Sequence, residues 1–155
     1  MEEQIAAGKS VRFGPKGISM LPLIRQFQDT VVIKKAPEKL KKYDIPLYRR
    51  DDGHFVLHRV VGENADGYIM CGDNQCVYEY GITDRHILAV AEGMYRGDKY
   101  FSFDNDEYIL YSHRRVRKQA FKRFMRKTRI AVVAVLKKMH IFTPCRKIYY
   151  IIRRK

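Results

Sequence analysis

From Val11 to Phe103 the chain consists of short apolar or β-branched runs, each stopped by a glycine, proline, aspartate or asparagine turn. Runs this short, punctuated so regularly, argue for strands over most of this stretch. Val11-Arg12-Phe13 enters the Gly14-Pro15-Lys16-Gly17 bend. Thr30-Val31-Val32-Ile33 is β-branched, and Ile45-Pro46-Leu47-Tyr48-Arg49 reads as a strand that Pro46 favours at a sheet edge. Asp51-Asp52-Gly53 is a hairpin signal joining that strand to one continuous run, His54 to Val61. Tyr68 to Cys71, Ile87 to Tyr95 and Lys99 to Phe103 complete a meander. The expected fold is mainly β, a coiled antiparallel β-sheet or partial barrel with a C-terminal basic α-helical extension. Residues 1–12 are expected to form a short helix or arm.

From about Asn105 the period changes. Val116, Ala120, Phe121, Phe124, Met125, Val132, Val135, Leu136 and Met139 recur at three- and four-residue steps with Lys and Arg between them. Phe142-Thr143-Pro144 interrupts the pattern, and a Tyr/Ile cluster with three basic residues ends it. Charge divides at the same place. Residues 1–112 hold 15 Lys/Arg against 17 Asp/Glu, whereas residues 113–155 hold 16 Lys/Arg and no acid. Two domains are expected, a β domain at 1–108 and a basic amphipathic helical tail at 109–155. So basic a segment suits an anionic partner. Its apolar stripe favours a membrane surface or a packed helix over nucleic acid, which needs charge alone, and a tail folded onto the body or onto a partner protein is the other alternative.

Three cysteines, Cys71, Cys76 and Cys145, make no disulfide framework and suit a reducing compartment. The first eight residues carry neither a basic n-region nor an apolar h-region and are not expected to be a signal peptide. No window approaches the ~20 apolar residues of a spanning helix. The expected location is the cytoplasm, peripheral at the inner face of the membrane. No cofactor is expected. A zinc site from Cys71, Cys76, His54 and His58 fits no standard ligand spacing.

The chemistry-bearing residues are Ser19 in Gly17-Ile18-Ser19-Met20-Leu21-Pro22, His58 in Leu57-His58-Arg59-Val60-Val61, and Asp73 in Gly72-Asp73-Asn74-Gln75. A serine hydroxyl needs a base to take its proton, a histidine can supply one near neutral pH, and a carboxylate can orient the imidazole. Each residue also has a plainer reading. Ser19 can cap a helix starting near Leu21 or Pro22, His58 can be a hydrogen-bonded core residue, and Asp73 can cap a turn. His54 is expected to face solvent.

The S-M-x-P box, the H-R-V-V run and the G-D-N turn, in that order, resemble signal peptidase I. More narrowly, they resemble the branch of archaea, spore-formers and the endoplasmic reticulum, which has histidine where ordinary bacterial enzymes and LexA-type repressors have lysine. The resemblance covers about Phe13 to about Tyr95 and includes Asp29-Thr30-Val31-Val32 and Lys42-Tyr43-Asp44-Ile45-Pro46-Leu47-Tyr48. It implies a serine endopeptidase acting on a leader or signal segment of a peptide or preprotein. Ser19 would be the nucleophile, His58 the base, and Asp73, or else Glu79, the orienting acid. Gly17, Ile18, Met20 and Pro22 would line the groove for an extended peptide.

The chain departs from the family in three ways. Glu79 stands near where the branch has a later aspartate, Gly17 replaces a serine that donates to the oxyanion, and the usual N-terminal membrane anchor has no counterpart. The alternative class is a non-catalytic peptide-binding module or a LexA-like self-cleaving regulator.

Overall fold

A computed structural model describes residues 2–138. The expected Phe142-Thr143-Pro144 break, the Tyr/Ile cluster and Cys145 lie outside the described residues. The elements in order are α1 (Glu2–Ala6), β1 (Val11–Phe13), β2 (Asp29–Lys34), β3 (Pro46–Arg49), β4 (Phe55–Leu57), β5 (Arg59–Asn64), β6 (Gly67–Cys71), β7 (Glu79–Ile82), a 3₁₀ turn (Asp84–His86), β8 (Ile87–Arg96), β9 (Lys99–Ser102) and α2 (Asp106–Lys138). The fold is mainly β, with two antiparallel sheets that do not close into a barrel and a helix at the C-terminal side.

The long strand β8 organises the larger sheet, pairing with β2, β3 and β9, while β1 extends the sheet past β2 and β4 extends it past β3. The smaller sheet runs β5-β6-β7. Val31, Ile33, Ile45 and Met70 are fully or almost fully buried, and each such side chain stabilises the fold by about 1.5–3 kcal/mol. One core cluster joins Val31, Ile33, Leu47, Ala89 and Met94 under the larger sheet. A second links Tyr48 and Val90 to Val60, Tyr68 and Met70, fastening the two sheets together.

Two expectations need correction. Strand β3 is not an edge, because it is flanked by β8 and β4. Pro46 is tolerated there as the first residue of the strand, where a missing N–H disturbs the ladder least. Nor is His54–Val61 one strand. Phe55–Leu57 pairs with β3 in the larger sheet, whereas Arg59–Asn64 pairs with β6 in the smaller one. The chain changes sheets at His58, which belongs to neither.

Helix α2 starts where the sequence can cap it. Asn105 Oδ1 accepts the Glu107 N–H at 2.6 Å, and Asp106 and Glu107 place acid in the first turn. The chain divides into two compact units, Met1–Gln119 and Ala120–Lys155, so the boundary falls eleven residues beyond the expected position at 108. The shift follows from Ser112, Val116 and Gln119, which are buried in the first unit. In the second unit, taken by itself, the described residues are helical through Lys138.

The first unit is pinned internally by a fully buried ion pair. Arg59 donates to both Asp73 carboxylate oxygens at 2.8 Å, and neither side chain has any exposed surface. Arg59 also donates to Tyr43 O, Tyr108 Oη and Ser112 Oγ at 3.1, 2.8 and 2.9 Å, and Tyr111 Oη donates to Asp73 at 2.9 Å. Removing one partner of such a pair strands the other charge, so Arg59→Met is expected to lower unfolding stability by about 3–5 kcal/mol. Lys39→Met, which breaks the exposed Lys39–Glu63 pair, is expected to leave it almost unchanged, because water and salt screen an exposed pair. Urea melts of both variants check the contrast, and equal losses would contradict it.

Candidate active site

Gly17 begins the serine turn with a backbone φ of +101°, in the region that favours glycine, and its N–H donates to Gln26 Oε1. Residues 19–23 then form a turn and not a helix, so Ser19 caps no helix. The turn is closed by Ile24 N–H donating to Met20 O at 3.0 Å. Met20 and Ile24 are buried and anchor it to the core, while Ser19 stays half-buried and Ile18 and Pro22 face outward.

Gly72 is the hinge between Ser19 and His58. A Cβ built on Gly72 would lie 3.0 Å from His58 Nε2, 3.0 Å from Ser19 Cβ and 2.7 Å from Ser19 O. The serine and the imidazole therefore lie against the same small piece of backbone, and only a residue without a side chain lets them approach it. The next residues hold the serine turn in place, since Asn74 N–H donates to Ser19 O at 2.6 Å. Among the described residues no hydrogen bond joins Ser19 Oγ to the imidazole. Such bonds are often loose without substrate.

The other face of the imidazole has fixed partners. His58 Nδ1 is 3.3 Å from Tyr48 Oη, and Tyr48 donates its own proton to Glu79 Oε2 at 2.8 Å. With that proton committed to the carboxylate, Tyr48 offers only lone pairs to Nδ1. The chain Nδ1–H to Oη–H to Oε2 keeps the proton on Nδ1 and leaves the Nε2 lone pair on the Ser19 side. Glu79 also stands 3.8 Å from Nδ1 and is held in a two-bond clasp by Arg50 Nε and Nη2, at 2.5 and 2.6 Å.

Burial lowers the His58 pKa to about 4. Glu79 pulls it upward, and the Arg50 charge opposes that pull. The imidazole is accordingly neutral, the form able to take a proton, across the neutral range. Burial raises the Glu79 pKa, but its bonds from Arg50 and Tyr48 outweigh that and leave it below the usual carboxylate value. Tyr48 is driven strongly upward, first by burial and then by the neighbouring Glu79, so it remains a protonated donor.

Of the four candidate catalytic residues, the structure brings Ser19 to the Nε2 side of His58 and Glu79 to its Nδ1 side. Asp73 is adjacent in sequence to Gly72, but its carboxylate is taken by Arg59 and Tyr111 and makes no bond to the imidazole. Its role is to place the turn. A cavity of about 260 Å³ opens beside Ser19 and His58. Of the expected groove residues, Gly17 and Met20 line it, and Ile18 and Pro22 do not. Phe55, Val56 and Leu57 of β4 form another wall, and that strand pairs on one side only. Gln75 lines this cavity as well as a second one of about 680 Å³ on the Glu79 side of His58.

His54 is exposed, with Nδ1 3.1 Å from Asp52. No cluster of three or more His, Cys, Asp or Glu capable of holding a metal occurs among the described residues. Sequence reasoning missed Tyr48 and Arg50. The signal was present: they sit two apart in and just after β3, so they share a face, and a buried tyrosine needs a partner for its hydroxyl. No family model, curated protein or solved structure matches the chain.

Because the folded His58 titrates below its unfolded value near 6.5, the unfolded chain binds the extra proton between about pH 6.5 and 4. Its burial therefore removes stability as pH falls through that window and removes no more below it. NMR titration of the imidazole should give a midpoint near 4. Glu79→Gln, which deletes the attraction that raises the value, should move the midpoint lower. An upward shift in that variant would mean that Glu79 does not face the imidazole.

Proposed function

We propose that this protein is a serine endopeptidase similar to signal peptidase I, cleaving a leader or signal segment from a peptide or protein precursor. The observation carrying the reading is the approach of Ser19 Cβ and His58 Nε2 to the same point beside Gly72. It is supported by the tautomer that Tyr48 and Glu79 impose on the ring. In this reading His58 Nε2 takes the Ser19 proton as Oγ bonds to the substrate carbonyl carbon. The imidazolium keeps its Nδ1–H on Tyr48, with Glu79 beyond, and returns the Nε2 proton to the departing amine. Water then enters and bonds to the acyl carbon as it loses a proton to the same nitrogen; the Oγ–acyl bond breaks and Nε2 returns that proton to Ser19 Oγ. The Ser19 N–H is the first donor to the oxyanion. An extended substrate beside the serine turn would find the unpaired edge of β4 as its hydrogen-bonding partner.

A serine-directed fluorophosphonate is expected to label Ser19 of the purified chain. His58→Ala should lower the labelling rate by about 10²–10⁴-fold while the fold survives. The absence of an adduct at Ser19, together with no cleavage of any leader peptide, sinks the proposal. An intact mass after prolonged incubation eliminates the self-cleaving alternative.

The reading also places the enzyme peripherally on an anionic membrane surface, on the cytoplasmic side. No helix among the described residues is long and apolar enough to cross a membrane. Phe121, Phe124, Met125, Val132 and Val135 are half or more exposed along one helical stripe, and residues 113–155 contain no acid. An exposed apolar stripe with a Lys/Arg face is the composition of a helix that lies in the lipid interface. The full chain should co-sediment with vesicles containing phosphatidylserine far more than with neutral phosphatidylcholine, and high salt should weaken that binding. The double variant F121E/F124E should lose most of it. Equal binding to neutral vesicles, or no effect of the double variant, overturns the assignment.

A further inference from the structure

The first half of α2 contributes no side chain to the cavity beside Ser19 and His58, yet it holds the backbone that both lean on. Gln119, almost fully buried, donates its amide to Gly72 O at 2.6 Å and to Asp73 O and Gln75 O at 3.3 Å. Arg115 donates from Nε to Asp73 O at 2.7 Å and from Nη2 to Leu21 O at 3.3 Å. Four carbonyls, three from the Gly72–Gln75 turn and one from the Ser19 turn, thus converge on two side chains one helical turn apart. That turn is the one whose Asn74 N–H grips Ser19 O and whose Gly72 separates Ser19 from His58.

Gln119 Oε1 is buried and has no hydrogen-bond partner among the described residues. A buried acceptor without a donor is unfavourable, and packing alone would be served as well by an apolar side chain of the same size. The amide is oriented entirely by what its nitrogen reaches. Flipping it would turn the oxygen toward three carbonyl oxygens, so its orientation has only one satisfactory solution.

We propose that Gln119 and Arg115 are positioning residues for the nucleophile: they clamp the Gly72–Gln75 turn so that Ser19 and His58 Nε2 stay in register. This deepens the peptidase reading and rests on it for its kinetic consequences. The helix that opens the basic tail is then also the strap of the active site. The clamp acts on backbone carbonyls, so it does not depend on what side chains the substrate brings.

The test compares Gln119→Met, which keeps volume and removes both the donors and the orphaned acceptor, with Arg115→Gln, a milder change at a half-buried position. Two readouts are taken on the full chain. One is the saturating rate of fluorophosphonate acylation at Ser19, with the concentration for half-saturation. The other is the NMR titration midpoint of His58, which needs no activity; the charged and titratable groups around that ring are Glu79, Arg50, Asp73 and Tyr48. Both variants are expected to lose at least tenfold in saturating rate with half-saturation unchanged. Both should also move the His58 midpoint upward as the turn loosens and water reaches the ring.

Wild-type rate and wild-type midpoint in both variants overturn the clamp, even if melting temperature falls, because a purely structural role would lower stability and leave the folded site unchanged. If the wild-type chain neither forms an adduct nor cleaves any leader peptide, the peptidase reading fails by itself. The midpoint then decides the clamp alone: an upward shift supports it, and an unchanged value refutes it.

Discussion

Arg59 and Asp73 form the only fully desolvated ion pair among the described residues, and the architecture of the site is organised around it. Burying two charges is favourable only when each finds nearly all the hydrogen bonds it left behind in water. Arg59 does so by drawing in Asp73 from the turn after β6, the Tyr43 carbonyl from the loop before β3, and Tyr108 and Ser112 from α2. Once those three segments converge on Arg59 of β5, Gly72 has a defined position, and with it the surface against which Ser19 and His58 lie. The aspartate that looked like an orienting acid therefore serves the site indirectly. Its carboxylate sets where the turn is, and its backbone neighbours do the rest.

The sheet change at His58 is the second determinant. A histidine within a regular strand would project to one face or the other, into a core or into solvent. At the break between β4 and β5 it belongs to neither ladder, and its ring lies between Gly72 on one side and Tyr48 with Glu79 on the other. Burial then keeps it neutral, and the Arg50 clasp on Glu79 prevents the carboxylate from being a bare charge beside it. The result is an imidazole with one nitrogen committed and one available, in contact with a cavity.

Much of this was legible in the residues. The run of short strands and turns, the Asp51-Asp52-Gly53 hairpin and the switch to helical period near Asn105 all appear in the structure close to where the pattern put them. Local chemistry accounts for these, because strand alternation, turn residues and caps act over a few neighbours. What could not be read was partner choice over long separations. Asp73 and Glu79 were both sensible acids for His58, and their difference depends on Arg59 and Arg50, cations whose targets are set by the tertiary path. Pro46 suggested an edge because the missing N–H is a local fact, while the presence of strands on both sides of β3 is a global one.

The sequence by itself determined that the chain would be a β body with a basic helix after it, and the order of its boxes, through their resemblance to a known family, drew attention to Ser19 and His58. Only the tertiary structure decided that His58 sits at a seam, that Glu79 and Tyr48 face its Nδ1, that Asp73 is spent on Arg59, and that α2 reaches back to hold the Gly72 turn. The physical reason is range. Backbone preference and hydrophobic period are written in adjacent residues, but burial and the pairing of charges depend on segments brought together from tens of residues apart.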